Sequence, residues 1–147
     1  MYTTRHIQTG QFALNTAGSV ITAFYLPQAA RVTRYFAIPT LADQAAHSTI
    51  VVSATFVDEG TDGSGSTTRA VLTNDSDTAD STTEESGAWT RYDAKELNTE
   101  ARPVSADATD VADEYPAGSV ISCTLTGAGS TPTANNFILG IEYRISD

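Results

Sequence analysis

Two histidines, His6 and His47, and one cysteine, Cys123, are the side chains here best suited to moving a proton or attacking an electrophile. A serine nucleophile needs a base held against it and a third group to orient that base. No Gly-x-Ser-x-Gly elbow occurs, and His6 and His47 lie in separate strand-like stretches with no motif around either. Both are read as surface or structural histidines. A reactive thiol needs exposure and a neighbouring cation or base. Cys123 instead alternates with Ile121 and Leu125, the pattern of a small buried apolar side chain. A single cysteine also rules out an internal disulfide.

Zinc would need three or four Cys, His or carboxylate ligands at reachable spacing, which this inventory does not offer. Asp75-Ser76-Asp77-Thr78-Ala79-Asp80 begins like a calcium-binding loop. It has Ala79 where an oxygen ligand belongs, and it lacks both the turn glycine and the closing glutamate. Asp58, Glu59 and Asp62 form a second acidic turn; both runs are read as solvated, with weak calcium binding outside the EF-hand geometry as the alternative. Gly60–Gly65 has no following Lys-Ser/Thr and no helix to aim amides at a phosphate. The expectation is a non-enzyme with no cofactor and no metal.

The elements that would position these groups read as strands. At 147 residues and 15.5 kDa the chain fits a single domain, 1–147. It is rich in Thr, Ser, Ala, Val and Ile, types that suit a pleated surface. In Thr49–Val57, the residues Ile50, Val52, Ala54 and Phe56 alternate with Thr49, Val51, Ser53 and Thr55, the period of two that one buried sheet face requires. Phe137, Leu139, Ile141, Tyr143 and Ile145 repeat the pattern, as do Ile121, Cys123 and Leu125. Ser19–Leu26 and Arg31–Ile38 are two more strands, closed by Pro27 and Pro39. Weaker strand signals lie at Thr3–Gln8, Arg69–Thr73 and Ala88–Ala94, the last with Trp89 and Tyr92 as packing residues.

Ala108, Val111, Ala112 and Tyr115 fall at helical spacing before Pro116, which leaves a short helix and an irregular loop equally open. Ala17-Gly18-Ser19-Val20-Ile21 recurs as Ala117-Gly118-Ser119-Val120-Ile121, read as a glycine turn releasing the chain into a β-branched strand. The second copy leads through Gly127–Pro132 into the last strand, predicting an antiparallel pair. The predicted fold is all-β: an antiparallel, jelly-roll-like β-sandwich with long acidic loops, residues 1–9 being a possible N-terminal arm.

The net charge of −10 opposes direct nucleic-acid binding. It is concentrated. Over residues 1–57, Arg5, Arg31 and Arg34 outweigh Asp43, whereas 58–114 hold most of the acids in Gly/Ser/Thr/Asp-rich loops. No apolar run approaches the roughly 20 residues of a membrane-spanning helix, and the N-terminus lacks the layout of a secretion signal, so no membrane partner is expected.

Three stretches carry a family resemblance: Val20–Arg34, with Tyr25-Leu26-Pro27-Gln28-Ala29-Ala30-Arg31-Val32; the strand entry Ala117–Ile121; and the ending Ile141-Glu142-Tyr143-Arg144-Ile145. Together they resemble the small β-sandwich decoration (cement) proteins of tailed bacteriophage capsids. The resemblance implies a homotrimer that binds the major capsid protein on the outer surface of the virion, after assembly in the host cytoplasm, and stabilises the shell. The N-terminal segment, with Tyr2, Arg5 and His6, is the expected docking contact; an ordinary edge strand is the competing expectation for it. The alternative function is a carbohydrate- or receptor-binding module of a phage fibre, in which exposed Trp89 and Tyr92 would hold a sugar.

Overall fold

The computed structural model describes residues 2–14, 18–46, 51–75, 84–99, 113–128 and 135–146. They form β1 (Tyr2–Gln8), β2 (Phe12–Leu14), β3 (Gly18–Leu26), β4 (Ala30–Pro39), β5 (Val51–Asp58), β6 (Thr67–Thr73), β7 (Glu84–Glu85), β8 (Lys95–Asn98), β9 (Glu114–Tyr115), β10 (Ser119–Ala128) and β11 (Asn135–Ser146). No α-helix occurs among the described residues.

The first sheet runs β1-β11-β4-β8, with β2 continuing the β1 edge along β11 and β9 pairing with β4. The second runs β3-β10-β5-β6-β7. Every pairing is antiparallel except the short β6–β7 contact. Among the eight principal strands β1, β3, β4, β5, β6, β8, β10 and β11, only the β5–β6 hairpin stays within one sheet. The other links cross between the sheets, which makes this a jelly roll.

Strand alternation builds the core between the sheets. Val52, Ala54 and Phe56 of β5 point inwards against Tyr35 of β4, and so do Ile121, Cys123 and Leu125 of β10 and the five apolar residues of β11. Phe56 lies 5.2 Å from the Tyr35 ring and stacks on Phe24 at 6.3 Å, joining three strands of two sheets. In β4 the alternation is broken by a bulge. The register passes from Glu142↔Arg34 to Tyr143↔Val32, leaving Thr33 as the extra residue. Its hydroxyl donates to the Glu142 carboxylate at 2.8 Å.

Several expectations change. The strands now labelled β10 and β11 are not partners: β10 lies between β3 and β5, and β11 between β1 and β4. Alternation shows that a strand buries one face, but not which strand lies beside it. Ala88–Ala94 forms no strand; Trp89 makes one bridge to Gln44, a turn follows, and the strand begins at Lys95. The two copies of the repeat differ. Gly118 is in a left-handed turn at φ +87°, whereas Gly18 is already extended and paired with Gly127. The possible arm is an edge strand of its own sheet, paired with β11 from Tyr2↔Ser146 to Gln8↔Gly140. Of the helix-spaced set, Tyr115 lies in β9 and the other three lie outside the described residues, as do His47, Thr49 and Ile50.

Candidate interaction surfaces

The side chains first considered for chemistry occupy structural positions. Cys123 is fully buried, and that burial pushes its thiol pKa up. Native protein is therefore expected to resist a thiol reagent at about pH 8 and to label rapidly once unfolded in guanidinium. Rapid labelling of the folded protein would contradict this. In the acidic turn, Asp58 accepts from Arg69 at 3.0 Å and from the Gly60 amide at 2.9 Å. Glu59 accepts from Ser122 at 2.6 Å. Asp62 accepts from the Ser64 hydroxyl and amide, which hold its pKa below the ordinary carboxyl value. No three His, Cys, Asp or Glu side chains converge among the described residues, and residues 76–80 of the other acidic run lie outside them.

A buried polar cluster sits between the sheets. The Tyr35 hydroxyl donates to Asp113 at 3.0 Å and lies 2.7 Å from that of Tyr115, which places the second proton on Tyr115. Burial raises the pKa of both phenols and keeps them neutral. The Arg69 guanidinium, paired with Asp58 from the second sheet, lies over the Tyr115 ring at 5.9 Å. These contacts tie the two sheets together, and composition gave no sign of them.

The three expected docking residues do not share one face. His6 is opposite Glu142 on the outer face of the first sheet, with 3.6 Å between Nε2 and Oε2. From there a row of charges continues through Arg34, 3.3 Å from Glu142, to its ion-pair partner Glu96. Arg5 is opposite Tyr143, on the parity that faces the second sheet, though exposed at the edge. Tyr2 holds the position opposite Ser146 at the far end of β11.

The other end of the sandwich is built with more constraint. Asn135, fully buried at the start of β11, accepts from the amides of Leu41 and Ala42 at 3.2 and 3.1 Å and donates to the Ala42 carbonyl at 2.8 Å. Asn74, also buried, accepts from the Val52 amide at 2.6 Å and donates to the Ala45 carbonyl at 3.0 Å. Two side-chain amides thus hold the segment after β4 as a neighbouring strand would. Against that segment packs the turn Thr90–Asp93, closed by the Asp93 amide donating to the Thr90 carbonyl at 3.0 Å.

Tyr92, third residue of this turn, has φ +64°. That position in a turn of this kind favours glycine, and a side chain there costs about 1–2 kcal/mol. The strain is held by the Tyr92 amide donating to the Pro39 carbonyl at 2.7 Å and the Arg91 amide donating to Asp43 at 2.7 Å. The Arg91 guanidinium lies 4.5 Å from the centre of the Tyr92 ring. Of the two aromatics expected to pack here, Trp89 does so: it is 1% exposed and meets Phe137 edge-on at 5.6 Å. Tyr92 is 67% exposed, and Leu41 is 49% exposed. A sugar platform made of both aromatics is thereby excluded. Large apolar exposure recurs only on β3, at Ile21 and Tyr25, among the described residues.

No protein-family model matches the chain, and no curated protein matches it. Among solved structures it is similar to a chain in a structure of infectious bursal disease virus, Gx strain, at 14% identity and a TM-score of 0.42. The match covers 99% of this chain and 32% of the viral one, so this chain spans about a third of that protein's length.

Proposed function

We propose that the chain is a capsid decoration protein of a tailed bacteriophage, binding the outer shell as a homotrimer and stabilising it. The observation that carries this reading is a division of labour among side chains. The carboxylates of the acidic turn and Cys123 are engaged in or buried by the fold. The large side chains left at the surface, Ile21, Tyr25, Leu41 and Tyr92, are suited to contact. The resemblance of Val20–Arg34, Ala117–Ile121 and Ile141–Ile145 to decoration proteins supports the same reading.

The test is co-sedimentation of purified protein with expanded capsid shells of the encoding phage, with light scattering on the free protein. Saturable pelleting at a fixed number of copies per shell, by a species of three chains, is expected. Protein that stays in the supernatant at every concentration would overturn the reading. Arg5→Ala and His6→Ala ask whether the N-terminal strand takes part. Point changes are the cleaner tool, because deleting β1 would strip seven register pairs from β11.

A further inference from the structure

We infer that the turn Thr90–Asp93, with Leu41 beside it, is a preformed docking knob that places the Tyr92 ring in an apolar socket on a protein partner. The partner taken here is the capsid shell, so the inference rests on the proposed function. The turn closes on a position that favours glycine, yet that position holds a tyrosine. A ring two-thirds exposed gains little from burial to offset the strained backbone, so folding does not account for it.

The surroundings instead hold the ring in place. Pro39, Asp43 and Arg91 fix the turn, and the guanidinium stacked on the ring limits its rotation. Asn135 in turn fixes the segment that carries Leu41. An aromatic ordered before contact loses little entropy on binding, and Tyr and Arg are among the residue types that dominate protein interfaces. The chemistry favours a protein over a glycan. Arg91 lies over one face of the ring and donates to its hydroxyl at 2.7 Å, leaving the opposite face, a shape for a socket rather than for a flat stacking platform.

The strain supplies the test. Tyr92→Gly removes the ring and gives the turn the residue its backbone favours. Its melting temperature is expected to equal or exceed that of the parent, by up to roughly 4 °C. Its affinity for expanded shells in co-sedimentation is expected to fall at least tenfold. Tyr92→Phe, which keeps the ring, should retain affinity to within about threefold. Parent protein that pellets while Tyr92→Gly pellets equally well would overturn this inference and leave the proposed function standing. Parent protein that never pellets would overturn both. A Tyr92→Gly variant that melts well below the parent would also overturn the inference, because the ring would then be serving the fold.

Discussion

Asn135→Ala is expected to destabilise the protein by roughly 3–5 kcal/mol, about 1 kcal/mol for each of the hydrogen bonds lost. One carbonyl oxygen of Asn135 accepts from Leu41, Ala42 and Asn136, while its amide nitrogen donates to Ala42. Alanine removes all four bonds, and Asn135 itself has no exposed surface through which water could take its place directly. The midpoint of thermal unfolding should fall by on the order of 10 °C. Hydrogen exchange locates the damage: the Leu41 and Ala42 amides should lose protection well before those of β5 or β10. Asn135→Asp keeps the acceptor but sets an oxygen against the Ala42 carbonyl. It should be as harmful at neutral pH and partly relieved in acid, where a protonated carboxyl can donate again. A loss under 1 kcal/mol for Asn135→Ala would show that the segment after β4 is held by something else.

This dependence explains which features were legible in the sequence. The alternation of Val52, Ala54 and Phe56, or of the apolar residues in β11, follows from two sheets burying a core, and a period of two survives in any local window. The pairing of β10 with β3 and β5 does not, because partner choice depends on the path of the whole chain. The bulge at Thr33 is invisible for a related reason: it is defined by Glu142 and Tyr143, more than a hundred residues away.

The loop end hid most. A turn whose left-handed position is filled by Tyr92 carries no glycine to announce it, so Trp89 and Tyr92 looked alike although one is buried and the other exposed. Asparagine is common in loops, but Asn74 and Asn135 each replace a missing strand neighbour. Local preference and tertiary need disagree where this surface is presented, and such disagreements concentrate at functional or strained positions.

Gly140→Val is expected to prevent folding, and the protein should be recovered in the insoluble fraction. Gly140 lies mid-strand in β11, opposite Phe36 on one side and Gln8 on the other. The Phe36 ring lies across it on the outer face of the first sheet, with the Arg34 guanidinium 5.9 Å above the ring. An aromatic over a cross-strand glycine covers bare backbone that would otherwise be solvated. A Cβ at Gly140 would fall 2.3 Å from Cζ and 2.7 Å from Cε2 of that ring, and 2.8 Å from the Ile7 carbonyl oxygen. All three are far inside van der Waals contact.

The ring can move outwards, but the Ile7 carbonyl belongs to a strand tied along its length to β11, so even alanine must part β1 from its neighbour. Gly140→Ala should therefore cost about 3 kcal/mol, at the upper end of ordinary overpacking, and valine more. Combining Gly140→Ala with Phe36→Ala separates the two clashes. The pair should be at least 1 kcal/mol less harmful than the sum of the single changes, because the ring clash vanishes. It should not recover parent stability, because the clash with Ile7 remains. Simple additivity would show that the Phe36 ring does not rest on Gly140.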